Sequence, residues 1–345
     1  MIPWRSRQLG LLTLLLGLLF ILPGLPHTTP CPVLFGVAPN PIEASQNWDA
    51  ALLGFEDTIG RPVDIVRYYK RGQDKVFPTA TELNRIDQIG VHRIPFYNWK
   101  PDGLTWRDVA NGAADDYLRE LAKELADNLD EPFFLSLSAE MEDEVDVRSG
   151  SGQTAADFRD YFRYVTHMLN SNGVTNVVTV MNYTGSYKWA SQPWFLELYP
   201  GDDVVDWIAQ DPYAYDLLRV PDLTALLNQQ GPDWPGFYTW AATTFPDKPQ
   251  MLGEWGVHDP PDSPRLNADF LDSVAKQLPA FPRLRALVYW NHGAITADGR
   301  RISVGTTAVD SSRQSLLAFR RLAHSDILTA PWSCPTGVIK RGPAT

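Results

Sequence analysis

The chain is short of the residues on which many catalytic classes depend. Only two cysteines occur, Cys31 and Cys334, and neither stands in a catalytic setting. The six histidines show no His-x-x-x-His or other ligand spacing, which argues against a zinc hydrolase. No Gly-x-Ser-x-Gly elbow offers a serine nucleophile. No Gly-x-Gly-x-x-Gly follows the first apolar segment and no phosphate loop is present, so the usual ligands of an open doubly wound sheet have no support. Basic residues are outnumbered, 30 Lys and Arg against 41 Asp and Glu, and the net charge of −11 argues against a nucleic acid or an anionic membrane surface as partner, since either requires clustered cations. A neutral or cationic substrate fits that balance, and no motif calls for a cofactor or a metal.

What is present begins with an address rather than a fold. Arg5 and Arg7 precede an apolar run from Leu9 to Leu22, closed by Pro23, Gly24 and Pro26. The pattern reads as a secretory signal over residues 1–30. An uncleaved anchor in the membrane and a short membrane helix are the alternatives, although the run is short of the roughly 20 residues of a full span. No Leu-x-x-Cys lipidation pattern precedes Cys31. In an oxidising compartment Cys31 and Cys334 pair as a disulfide if the first strand and last helix of a closed barrel bring them together, and are otherwise two unrelated thiols.

From residue 31 to 345 the chain reads as one domain. Eight apolar, strand-like segments recur: Val33 to Val37, Val63 to Tyr69, His92 to Tyr97, Pro132 to Ser138, Val174 to Met181, Val204 to Gln210, Pro249 to Gly253 and Leu284 to Trp290. Helix-period stretches fall between them, including Leu118, Leu121, Leu125 and Leu129, then Phe158, Phe162, Val165 and Leu169, then Leu266, Phe270, Val274 and Leu278, and finally Leu316, Phe319 and Leu322. Such alternation predicts an α/β fold, a parallel sheet under helices, and closing it as a (β/α)8 TIM barrel leaves no exposed edge.

In such barrels the C-terminal ends of the strands face the active site. Glu140 follows the fourth segment and Glu254 ends the seventh, so strands across the barrel from one another each end in a glutamate. A charge directly after an apolar strand is costly unless something uses or pairs it. Retaining glycosidases use two such carboxyl groups about 5 to 5.5 Å apart, one ionised to attack and one protonated to assist the leaving oxygen. Each glutamate alone is equally compatible with a helix cap or a rim ion pair. Aromatic residues at other strand ends, namely Trp99, Tyr213, Tyr215, Trp255 and Trp290, offer faces on which sugar rings stack. Asn98, Asn182, Asp211 and Asn291 offer polar partners for hydroxyls. His258 and His292 either line the cleft or pack. The acidic run Glu140, Glu142, Asp143, Glu144 and Asp146 would raise the proton affinity of Glu140. From Glu142 to Asp146 it reads as a solvated loop, a site for a cationic sugar or a calcium site.

Taken together, these residues resemble glycoside hydrolase family 26, the β-mannanase-like barrels of the clan with catalytic glutamates on strands four and seven. The resemblance rests on Leu198-Tyr199-Pro200-Gly201-Asp202-Asp203-Val204-Val205-Asp206-Trp207-Ile208 followed by Asp211-Pro212-Tyr213. It is supported by Val174 to Val178, by Lys248-Pro249 leading to Glu254, and by Val288-Tyr289-Trp290-Asn291. It implies a retaining, endo-acting hydrolase of an extracellular or cell-envelope polysaccharide. Glu140 would be its acid/base, Glu254 its nucleophile, Tyr213 the tyrosine orienting that nucleophile and Trp290 the platform at the cleavage point. The chain departs from the family at Ala139, where His stands, at Glu142, where Asn stands, at Ser136, where Arg is usual, and at Val145, where Trp is frequent. Those departures motivate a second reading, a carbohydrate-binding barrel without turnover.

Overall fold

The computed structural model describes residues 33–40, 47–258, 263–295, 301–302 and 306–329. The apolar N-terminal run, Cys31 and Cys334 lie outside the described residues. Among those described, no helix is long and apolar enough to cross a membrane.

Eight parallel strands form the barrel: β1 (Leu34–Pro39), β2 (Ile65–Arg71), β3 (Ile94–Lys100), β4 (Phe133–Leu137), β5 (Val177–Tyr183), β6 (Trp207–Gln210), β7 (Gln250–Val257) and β8 (Leu284–Asn291). Consecutive strands pair in order, and β8 pairs back onto β1 from Leu34 opposite Ala286 to Pro39 opposite Asn291, so the sheet closes. Helices α1 (Trp48–Ile59), α2 (Ala80–Ile86), α3 (Asp115–Asn128), α4 (Ala155–Ser171), α5 (Phe237–Thr244), α6 (Pro264–Gln277) and α7 (Arg313–Ala323) lie between and after the strands. Capping boxes fix two of their starts, Thr79 with Glu82 at α2 and Thr154 with Asp157 at α4. The expected alternation fails once. After β5 the chain makes only the short helical turns Tyr187–Ala190 and Phe195–Leu198, because Gly185, Pro193, Pro200 and Gly201 interrupt any longer helix.

The side chains separate by the two-residue period of a strand. Leu34, Ile65, Ile94, Phe96, Phe134, Val178, Val180, Trp207, Ala209, Met251, Ala286 and Val288 fill the barrel lumen. The alternate set packs outward beneath the helices, Phe35 against Phe319 and Trp255 against Tyr289 among them. Along several strands the inward series turns polar toward the C-terminal end: Ile65-Arg67-Tyr69, Ile94-Phe96-Asn98, Val178-Val180-Asn182 and Trp207-Ala209-Asp211. The lumen is thus an apolar plug with a polar top.

Candidate active site

Arg67 is the floor of that polar layer. Its side chain is fully buried, with the guanidinium 4.7 Å from the centre of the Phe96 ring. It pairs upward with Glu254, Nη2 to Oε1 3.4 Å, and more distantly with Asp211 at 3.7 Å. Burial opposes its charge, but the fields of Tyr69, Glu254, Asp211 and Tyr213 outweigh burial and raise its pKa. A permanent cation therefore sits under the seventh-strand glutamate.

Strict alternation along β7 would turn Glu254 outward, since Met251 faces the lumen and Leu252 the helices. The register of β7 against β8 shifts between Leu252 and Trp255, which re-aims the side chain into the mouth. The Tyr69 hydroxyl donates to Glu254 Oε1 at 2.6 Å and the Tyr213 hydroxyl to Oε2 at 2.7 Å. The Glu254 backbone N–H donates to Asp211 Oδ1 at 2.7 Å. Burial, then the neighbouring Glu254 charge, pushes the Tyr213 hydroxyl far up; burial and Glu254 do the same at Tyr69 against the pull of Arg67, so both phenols stay protonated as donors. Each carboxylate oxygen is thereby fixed by a phenol.

Glu140 reaches the same mouth by a different device. Past β4 the backbone enters the left-handed region twice, at Ser138 (φ 49°) and Glu140 (φ 60°), conformations that cost a side-chain-bearing residue about 1 to 2 kcal/mol each. Three bonds hold the turn. Ser138 N–H donates to the Trp99 carbonyl, Ala139 N–H to Asn98 Oδ1 and Glu140 N–H to the Asn182 carbonyl, all at 2.9 Å. Burial raises the Glu140 pKa to about 7, with the Glu254 charge the next contributor, Asp143 a lesser one, and Arg67 and Lys100 opposing. Burial also raises Asp211, beside Glu254, well above the carboxylate range. Three acidic groups thus share one buried guanidinium, and two of them, Glu140 and Asp211, are held toward the protonated form.

Several expected substrate contacts move. Trp290 is half-buried, packed edge-to-face on Tyr69 at 5.5 Å, and so stands beside the Glu254 group. Tyr215 is 70% exposed, with its ring 4.4 Å from His258, and feels the charges of Glu140 and Glu254 after burial. Trp99 is not a sugar platform. It lies outside the lumen, 1% exposed, stacked on Tyr117 at 5.4 Å, with its N–H donated to the Gly72 carbonyl. Trp255 is also a core residue, at 0% exposure against Tyr289. Asn291 is turned away from the cleft and accepts the Val309 N–H at 3.1 Å. Asn182 faces the lumen but is 1% exposed, crowded against Gly253, so it supports the floor instead of meeting a sugar. Asn98 is likewise internal, bracing Ser136 and Ala139.

The acidic run after Glu140 is not a uniformly solvated loop. Glu142 is buried on Thr184, Glu144 pairs with Lys100, and Asp146 pairs with Arg148. Among the described residues no group of three or more His, Cys, Asp or Glu could hold a metal ion. Arg67 and Tyr69 belong to no recognisable motif, although an arginine inside an apolar strand at a lumen-facing position marks a paired buried charge.

This architecture recurs in solved structures. A ruminal endo-β-1,4-mannanase of glycoside hydrolase family 26 superposes with a TM-score of 0.57 and 14% identity, covering 86% of this chain and 64% of that one. A modular endo-β-1,4-mannanase from Cellulomonas fimi gives 0.56 and 16%, covering 90% of this chain and 74% of that one. A β-mannanase from a symbiotic protist of the termite Reticulitermes speratus, complexed with gluco-manno-oligosaccharide, gives 0.53 and 14%, with 87% and 88% covered. The fold is that of the family 26 mannanases. In sequence, 174 residues align at 24% identity with endoglucanase H of Acetivibrio thermocellus, half of this chain and 19% of that protein's length. No family model matches the chain.

Proposed function

We propose that the protein is a retaining glycoside hydrolase, with Glu254 as nucleophile and Glu140 as acid/base. The observation that carries this reading is the asymmetry of the two carboxyl groups. Glu254 is fixed by two phenols and a guanidinium, whereas Glu140 keeps a proton up to about pH 7. The fixed carboxylate attacks the anomeric carbon while Glu140 protonates the departing oxygen. Glu140, then ionised, takes a proton from the water that releases the sugar. Arg67 and the two phenols keep Glu254 a good leaving group in that second step. Trp290 and the Tyr215–His258 pair offer the sugar apolar faces at the rim.

A polysaccharide cut internally is the substrate class we favour, with β-1,4-mannan, glucomannan and glucan first to test, since the names of the similar structures and of the aligned endoglucanase point to them. The apolar run from Leu9 to Leu22 is the ground for assigning the reaction to the extracytoplasmic side, with residues 31–345 as the catalytic domain. The test is a polysaccharide panel scored for new reducing ends and for anomeric configuration by proton NMR. The wild-type chain is expected to release the retained anomer from at least one glycan. Glu254→Gln should lower that rate by more than about a thousandfold while leaving binding in place. Binding without turnover by the wild type, or an inverted product, would overturn the assignment.

A further inference from the structure

The buried carboxyl of Glu142 has no part in that mechanism, yet it is 1% exposed and two residues from the proposed acid/base. Its Oε1 accepts the Thr184 N–H at 3.0 Å and the Thr184 hydroxyl at 3.1 Å, and Oε2 accepts the same N–H at 3.2 Å. Thr184 is the first residue past β5. The β4–β5 ladder ends with Ser136 opposite Val180, and beyond it the Glu140 N–H bonds the Asn182 carbonyl. Glu142 then continues the pairing with a side-chain carboxyl where a strand would supply a backbone carbonyl. The Asp143 N–H closes the turn onto the Glu140 carbonyl at 3.2 Å. The segment 140–142 is therefore pinned to 182–184 at two points, and between them lies the left-handed Glu140.

A carboxyl placed out of water costs several kcal/mol unless it is bonded. Burial drives the Glu142 pKa up to about 8, with the Thr184 bonds opposing and Glu140 adding to the rise, so it is largely neutral when Glu140 titrates. An apolar residue would pack at less cost but could not accept the Thr184 N–H.

We propose that Glu142 is a positioning residue: its carboxyl clamps Thr184 at the end of β5 to the turn after β4 and so holds Glu140 in its strained, mouth-facing conformation. The inference rests on Glu140 being the acid/base, and the measurements separate the two ideas. Released from the clamp, the turn relaxes and Glu140 moves toward water. The groups that face it, Glu254, Arg67, Asp143 and Lys100, then act on it less.

The full chain is compared with Glu142→Ala, Glu142→Gln and Thr184→Val. Three readouts are used: carbon-13 titration of the Glu140 carboxyl, exchange of the Glu140 amide, and kcat on polysaccharide against an aryl glycoside with a good leaving group. Glu142→Ala should bring Glu140 down by at least about one pH unit and lose amide protection. It should lower kcat on polysaccharide about tenfold or more while changing the aryl glycoside by less than about threefold, because only the poor leaving group needs the acid. Gln keeps an acceptor oxygen and should restore all three readouts to near wild type; Thr184→Val, lacking one donor, should fall between. A folded Glu142→Ala protein with unchanged titration and exchange overturns the clamp, as does Gln behaving like Ala. Should Glu142→Ala not fold, a Thr184→Val protein indistinguishable from wild type overturns it. Absence of hydrolysis by the wild type sinks the hydrolase reading alone, since titration and exchange still report the clamp.

Discussion

Glu140→Gln should stabilise the protein, and by an amount that grows with pH. In the fold the Glu140 proton is held from the ordinary 4.5 up to about 7 by burial and by the charge of Glu254. At about 1.4 kcal/mol per pH unit, ionising it in the native state costs on the order of 3 kcal/mol more than in the unfolded chain. Below about pH 4.5 both states carry the proton and there is no penalty. Between 4.5 and 7 the unfolded chain loses a proton that the native state keeps, so stability falls as pH rises, and above about 7 the whole penalty is present. Glutamine is isosteric and has no such term. Urea denaturation of both proteins at about pH 5 and about pH 8 should therefore show the advantage of the variant widening by about 2 kcal/mol, the contributions of groups remote from Glu140 cancelling in the difference. An advantage independent of pH, or one that shrinks as pH rises, would refute the reasoning.

Further expectations concern the same cluster. The kcat/KM profile should fall on its alkaline side near pH 7 as Glu140 ionises, and that limb should be absent in Glu140→Ala. Tyr69→Phe and Tyr213→Phe each remove one donor to the Glu254 carboxylate, a bond worth about 1.5 to 3 kcal/mol. Steady-state kinetics should show kcat/KM down about 10- to 100-fold for each with little change in KM. Trp290→Ala should raise KM by roughly three- to tenfold, the value of one stacking contact, measured on the best glycan of the panel. Gly253→Ala should lower stability by about 1 to 3 kcal/mol in urea, because the added Cβ would stand 2.4 Å from Asn182 Oδ1 and 2.8 Å from Asp211 Oδ1.

Apolar runs located every barrel strand, but the segments read from them stopped two to four residues short of the mouth in β1, β2, β3, β5 and β7. The omitted ends include Asn98, Asn182 and Glu254, which are polar because they build or brace the mouth of the barrel. Hydrophobicity therefore fades where function begins. The aromatic assignments divide by parity. Trp290 follows Ala286 and Val288 on the lumen face, whereas Trp99 alternates with Phe96 and Asn98 and falls under the helices. Counting from the lumen residues rejects Trp99 and Asn291 and selects Arg67 and Tyr69. Trp255 and Glu254 escape such counting, since the register shift in β7 exchanges their faces and no local signal in Gly253-Glu254-Trp255 announces it. The left-handed turn at Ser138 and Glu140 was equally silent, because it is imposed by Trp99, Asn98 and Asn182, bonds from strands remote in sequence.

The central claim is that Glu254 attacks the sugar. The direct test is to treat the protein with 2-deoxy-2-fluoroglycosyl fluorides of the mannose and glucose series, which form the covalent intermediate but hydrolyse slowly, and to map the adduct by peptide mass spectrometry. One sugar on the peptide containing Glu254, absent from Glu254→Gln, is the expected result. A label on any other side chain, or none while natural glycan is hydrolysed to the inverted anomer, would contradict the account.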